Sequence, residues 1–305
     1  MKSVIMIGVS CNITLRISKQ CDNNYCRRLL PHFTQFKEIS DASQPQSTQS
    51  TTMSHTHLKL VISAFIFLWL CHRTPAQVSD RIVGGQATTV ANAPYMVQIR
   101  FNGSFRCGGT LISTTHVLTA AHCIKGRRRA LFTVHANTTR LGQTGITRNV
   151  SRAFVPRVFN RVTKRMDVAV LRLSSAINGT NAQPIGLCNQ RLTPGLRLRV
   201  FGWGTTSENS SNISRVLRRV TVPVVPKPRC RRQYAGIQNI TRTMFCAGVP
   251  GSRDACTGDS GGPAIANGRV CGIISFGNGC ARPNFPGVYT SVPMVRRFIN
   301  QALAQ

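Results

Sequence analysis

From residue 82 onward, short apolar runs are separated by clusters of glycine, proline and asparagine. Residues 96–101, 168–173, 198–201 and 270–276 are the clearest of these runs. Many strands this short, punctuated by turn formers, predict an all-β barrel or sandwich, because each run is long enough to pair with a neighbour but too short for a helix. The end of the chain breaks the pattern. Val295, Phe298, Ile299 and Ala302 share one face at helical spacing, which predicts a closing amphipathic helix.

A different pattern precedes the strands. Residues 60–71 read LVISAFIFLWLC, follow Met53 and Lys59, and run into Thr74-Pro75-Ala76. A basic start, an apolar centre and small residues after it form the layout of a secretory signal peptide, here residues 53–76. About a dozen apolar residues fall short of the ~20 that a spanning helix needs. A signal-anchor is the competing reading, and a buried core helix is the weakest of the three. Residues 40–52 are rich in Ser, Thr and Gln without periodicity and read as unstructured. Residues 1–52 are thus expected to be a non-structured extension, or a gene-model addition upstream of a true start at Met53.

Composition narrows the class. The 305 residues are 42% apolar, which excludes a wholly disordered chain. The formal charge is +31, from 39 basic and 8 acidic residues. After Ile82, 30 basic residues face only four acids (Asp167, Glu208, Asp254 and Asp259), leaving +26. Acids this scarce make any that chemistry requires conspicuous. Of twelve cysteines, eight follow Ile82, an even number suited to four bridges in an oxidising compartment. No C-x-x-C pair or zinc-finger spacing is present, which disfavours a structural metal.

Three motifs carry the candidate chemistry. Thr119-Ala120-Ala121-His122-Cys123 sets a histidine beside a cysteine, Asp167 heads the apolar run 168–171, and Gly258-Asp259-Ser260-Gly261-Gly262-Pro263 encloses a serine in glycines. Taken singly, each has an ordinary structural explanation: a packed histidine, a turn-capping acid, a loop. Jointly and in this order they are hard to ascribe to chance. A serine hydroxyl needs a base to become a nucleophile, and neutral imidazole suits that task near pH 7. His116 and His135 lack such context and read as packing or surface residues.

Together with Ile82-Val83-Gly84-Gly85, these motifs resemble the chymotrypsin/trypsin-like serine proteases over essentially all of residues 82–305. The short loops are similar to those of secreted insect trypsins. The resemblance implies two packed six-stranded antiparallel β-barrels with a C-terminal helix and the active site between them. It implies a Ser260–His122–Asp167 triad, with the amides of Gly258 and Ser260 as the oxyanion hole. Asp254 would form the floor of the pocket that receives an Arg or Lys side chain, lined by Ser275, Gly277 and Gly287. Residues 77–81 would be an activation peptide. Cleavage after Arg81 would free the Ile82 ammonium to pair with Asp259, since a buried carboxylate without a partner is costly.

The resemblance also implies disulfides Cys107–Cys123, Cys230–Cys246 and Cys256–Cys280. It leaves Cys188 and Cys271 to pair with each other, although neither has a familiar position. Phe276 stands where the family more often has Trp, and Ala255 removes a common pocket hydroxyl, tilting the preference toward Arg. No acid lies between His122 and Asp167, so no calcium loop is expected. No cofactor is implied. Glu208 is left as a surface loop residue.

The remaining features concern partners and location. Seven N-x-S/T sequons, at Asn102, Asn137, Asn149, Asn178, Asn209, Asn212 and Asn239, fit a secreted, glycosylated β domain. The basic excess reads either as a solvated surface or as attraction to polyanions such as glycosaminoglycans. Its densest runs are Lys125 with Arg127-Arg128-Arg129, and Arg229 with Arg231-Arg232. No nucleic-acid fold signature is present, and no stable membrane association is expected. The expected protein is therefore a secreted, extracellular serine endopeptidase made as a zymogen, with Arg/Lys-containing protein substrates and protease inhibitors as partners. Its rival is a catalytically silent, cationic protease-like binding protein. A membrane-anchored protease is the third reading.

Overall fold

The structure is a computed structural model that describes residues 83–305. The expected extension, signal peptide and activation peptide, with Arg81 and Ile82, lie outside the described residues.

Turn chemistry sets where the chain reverses. After the short strand β1 (Gln86–Ala87), strands β2 (Met96–Phe101) and β3 (Ser104–Ser113) are joined by Asn102-Gly103 alone. Both residues lie at positive φ, +49° and +78°. A two-residue hairpin needs this left-handed backbone, which asparagine tolerates and glycine adopts freely. The second half of the chain uses the same device. Strands β11 (Pro263–Ala266) and β12 (Arg269–Phe276) are joined by Asn267-Gly268 at +48° and +67°.

Strands β2, β3 and β4 (His116–Thr119), then β5 (Phe132–Ala136), β6 (Ile146–Phe154) and β7 (Ala169–Leu173), close into a six-stranded antiparallel barrel in the order β2-β3-β4-β7-β6-β5. The second barrel contains β8 (Arg197–Gly202), β9 (Arg218–Val225), β10 (Met244–Ala247), β11, β12 and β13 (Gly287–Ser291). It closes through β8–β9 pairing, with β1 attached to β9 through Gln86↔Arg219 and Ala87↔Arg218. The four runs noted in the sequence are β2, β7, β8 and β12 to within a residue or so. The architecture is the one expected.

The first barrel's core reaches across to the second barrel, which also has a separate cluster of its own around Leu198, Val200, Val222 and Tyr289. Leu111, Leu118, Phe132 and Leu171 fill the first barrel, and Phe201, Trp203 and Ile273 extend the same cluster into the second. The Trp203 indole N–H donates to the Thr139 carbonyl at 3.0 Å, so its polar edge is satisfied where it is buried. Helix α2 spans Lys227–Gln233, and the final helix, α3, spans Val292–Leu303, with Val295, Ile299 and Ala302 buried and Phe298 half-buried against that core. Four disulfides staple the loops: Cys107–Cys123, Cys188–Cys271, Cys230–Cys246 and Cys256–Cys280. Cys188 and Cys271 therefore do pair, with Cα atoms 4.8 Å apart. Among the described residues, no helix is long and apolar enough to cross a membrane.

Candidate active site

Asp167 precedes β7 and is fully buried, yet it is bound from both barrels. Its Oδ2 accepts from His122 Nδ1–H at 2.7 Å, and its Oδ1 accepts from the His122 backbone N–H at 2.9 Å. From the second barrel, the Ser275 hydroxyl donates to Oδ2 at 2.5 Å and the Thr290 hydroxyl donates to the Asp167 carbonyl at 2.9 Å. Three donors thus satisfy a carboxylate shielded from solvent, which is the condition for keeping it buried. With Nδ1–H turned to Asp167, the imidazole is left with Nε2 as its basic atom. The site therefore depends on the barrels being docked.

His122 lies on the single-turn helix α1 (Ala121–Ile124), pinned by the Cys107–Cys123 disulfide. The serine loop is pressed against the same region. The Ser260 carbonyl accepts from the Gly108 N–H at 2.9 Å, and a Cβ on Gly261 would fall 2.2 Å from Thr119 Oγ1. Only glycine at 261 permits that approach. Backbone contact thus brings Ser260 alongside the segment that ends in His122. Among the described residues, no hydrogen bond closes Ser260 Oγ onto His122 Nε2; such bonds are often long before a substrate tightens them. Gly258 adopts φ +96°, and the amides of Gly258 and Ser260 donate to no backbone carbonyl among the described residues. Although Cys107, His122 and Cys123 cluster tightly, both sulfurs are held in the disulfide, so neither offers a thiolate to a metal.

Beside Ser260 opens a cavity of about 420 Å³, lined among others by Ser275, Phe276, Gly277 and Gly287. Asp254, 1% exposed, is not itself in the lining but lies behind the lining residue Gly287. A Cβ on Gly287 would fall 2.5 Å from Asp254 Oδ1, and one on Gly277 would fall 2.9 Å from the Gly279 carbonyl. Both walls are therefore confined to glycine. Asp254 accepts from the amides of Ala255 at 2.8 Å and Ala281 at 3.1 Å. Burial nevertheless pushes its carboxyl up to about 7, only partly offset by those amides, so the group is poised to gain a cation.

Asp259 is also fully buried and accepts from the Gly204 amide at 2.7 Å and the Cys256 amide at 2.9 Å. Burial pushes it up to about 6. Val83, the first of the described residues, meets the same loop: the Asp254 amide donates to its carbonyl at 3.3 Å.

Three contributors escaped the sequence reading. Gly202 and Gly204 leave the space that the Asp259 carboxylate fills; a Cβ on either would come within 2.5 Å of it. The buried Tyr234 holds the far pocket wall, with its hydroxyl donating to the Pro286 carbonyl at 2.9 Å and accepting from the Asn278 amide at 3.3 Å. Glu208 is exposed but lines the cavity mouth, where it forms a two-pronged pair with Arg282, including Nε bonds of 2.8 and 3.0 Å. The Gly202-Trp203-Gly204 spacing was a visible signal; nothing local in sequence marks the other two. His116 and His135 are held by neighbouring hydroxyls away from this cleft.

Comparison with known proteins decides the family. The sequence matches the family model for Trypsin over residues 82–299. The chain belongs to the trypsin family. It is a trypsin-like serine endopeptidase. Among curated relatives, it is similar to Seminase of Drosophila melanogaster, 44% identical over 227 residues covering 74% of this chain and 82% of that one. Trypsin Blo t 3 of Blomia tropicalis is 40% identical over 218 residues, 69% of this chain and 82% of its own. Trypsin alpha of Drosophila melanogaster is 37% identical over 225 residues, 73% and 88% respectively. In trypsin-family terms the two-barrel cleft, not either barrel alone, is the working unit, because Asp167 takes ligands from both.

Proposed function

We propose that this protease is secreted as a zymogen and, once cut after Arg81, hydrolyses peptide bonds on the carboxyl side of Arg or Lys. Residues 53–76 direct export, and residues 77–81 are removed on activation. The observation that carries the specificity is the Asp254 carboxylate, buried behind Gly287 in the wall of the cavity beside Ser260. Only a long cationic side chain supplies the charge that this carboxylate lacks, and a neutral one leaves it buried and unpaired.

The chemistry follows from the groups in place. His122 Nε2 takes the Ser260 proton as Oγ attacks the scissile carbonyl. The resulting oxyanion is held by the amides of Gly258 and Ser260, each such donor being worth ~3 kcal/mol. Asp167 holds the imidazolium, which then protonates the leaving amine. Water repeats the sequence on the acyl-enzyme and restores Ser260. No cofactor enters these steps. Activation rests on Asp259: the freed Ile82 ammonium, one residue from Val83, supplies the cation for a buried carboxylate and fixes the Gly258–Ser260 backbone.

The test is a positional-scanning peptide library on protein cut after Arg81. Cleavage after Arg and Lys is expected to dominate, with Arg preferred. Cleavage mainly after Phe, Tyr or Leu overturns the pocket reading, and no hydrolysis at all favours the silent, cationic binding protein.

A further inference from the structure

A second large cavity lies apart from the substrate cavity. A groove of about 1260 Å³ runs between the 155–166 loop, the 239–243 segment and helix α3 (Val292–Leu303). Arg157, Arg165, Arg242 and Arg297 line it, and all four are exposed. No carboxylate lines it. Among the described residues, none of the four guanidiniums has an ion-pair or hydrogen-bond partner. The nearest acid in sequence, Asp167, is buried and fully engaged by His122 and Ser275. The walls are tied together, since Gln238 Nε2 donates to the Thr163 carbonyl at 2.7 Å. The Arg231 guanidinium, bonded to the Ile240 carbonyl at 3.3 Å, extends the positive surface beyond one edge.

We propose that this groove binds a sulfated glycosaminoglycan chain. Four like charges around one concavity, with no internal acid, repel one another unless an anion lies between them. Guanidinium forks match the paired oxygens of a sulfate, and all four lining cations are arginines, not lysines. The apolar floor, which includes Met166 and Val295, gives the sugar faces a surface to lie on. A single-stranded nucleic acid fits less well. Phe298 is the one aromatic ring in the lining and is half-buried, so there is no platform on which successive bases could stack. The groove shares no lining residue with the substrate cavity, so a bound chain leaves small peptides free to reach Ser260.

The test uses the secreted protein and a size-defined heparin oligosaccharide, with binding measured by calorimetry across a salt series. The double substitution Arg242→Gln/Arg297→Gln is expected to weaken binding about tenfold or more. It should also reduce the slope of log affinity against log salt by about one per lost contact. The charge-matched control Arg127→Gln/Arg128→Gln, in the densest basic run, is expected to change affinity less than about threefold, as exposed single charges do. Thermal melting checks that each variant folds, a readout that does not depend on proteolysis. Equal losses in both doubles mean diffuse attraction by net charge and overturn the site. Tighter, groove-dependent binding of single-stranded RNA overturns the choice of partner. Because Asn239 lines the groove within an N-x-T sequon, Asn239→Gln is run in parallel. Heparin binding that appears only in that variant shows the groove filled by the protein's own glycan and overturns the proposal.

Discussion

In the substrate cleft, Asp167, Asp254 and Asp259 are each at most 1% exposed, whereas the four arginines of the outer groove all face solvent. One region buries single negative charges and surrounds each with oriented amides and hydroxyls. The other clusters positive charges and leaves them unneutralised. On the functions proposed above, the difference follows from what each region recognises. A buried carboxylate discriminates sharply, because a mismatched partner leaves it uncompensated in a medium of low dielectric. Exposed cations discriminate weakly, are screened by salt, and gain strength only by number. The same chain holds both because, among the described residues, three of the four acids lie in the cleft.

The substitution that separates the regions most widely is Ser260→Ala. It should lower peptide hydrolysis about 10⁶-fold, by analogy with nucleophile removal in other serine proteases, with no loss of secretion or of heparin binding. Steady-state kinetics on the purified, cut variant decide it. Hydrolysis near the parent rate would remove Ser260 from its role. Next in size is Asp254→Ser, which should reduce the preference for Arg over neutral side chains by about 10³-fold or more while the fold melts at a similar temperature. A selectivity ratio that survives this change would place the determinant elsewhere in the cavity.

These two residues were legible because local sequence announces them. Ser260 sits in a glycine-rich hexapeptide whose tight approach to Thr119 forbids side chains at Gly261, and Asp254 is one of four acids in 224 residues. The barrels were legible for a similar reason, since several strands pair with the next one through tight turns such as Asn102-Gly103 and Asn267-Gly268. The arginine groove was not. Arg157, Arg165, Arg242 and Arg297 come from three separated segments that meet only when α3 folds back, and none belongs to the densest basic runs. Tyr234 and Glu208 were hidden in the same way. Their partners, Pro286, Asn278 and Arg282, lie 44 to 74 residues away in sequence.

A third experiment concerns proton linkage in the cleft. Burial raises the Asp254 and Asp259 carboxyls to about 7 and about 6, above ordinary carboxylate values. The folded chain therefore holds protons that the unfolded chain releases. Their contribution to stability is complete below about pH 4 and is lost as pH rises through about 6 and then about 7. Freeing the Ile82 ammonium should pull Asp259 down and remove its share of that loss. Melting curves of Ser260→Ala protein from pH 4 to 8, cut after Arg81 or kept whole by Arg81→Gln, provide the comparison. The cut form should gain on the whole form as pH rises from 4 to 7. Parallel curves would deny the pairing of Ile82 with Asp259.

The smallest effect is expected at Glu208, the one acid of the domain that stands at the surface and so mixes the habits of both regions. It lines the cavity mouth yet is exposed, and its carboxyl is held below the usual range chiefly by hydrogen bonding to Arg282. The pair spans two loops, 203–214 and 277–286, that border the entrance to the cavity. Exposed pairs contribute little to global stability, so Glu208→Gln should leave the melting temperature nearly unchanged. Its effect belongs to substrate entry. Loss of the carboxylate frees a cation, Arg282, at a mouth through which a cationic side chain must pass. KM for a small Arg substrate should rise two- to threefold, with kcat held and the rise shrinking at high salt as the free charge is screened. The double Glu208→Gln/Arg282→Gln removes that cation and should restore KM. A KM that stays high in the double variant would mean that the pair acts by bracing the loops and not through its charge.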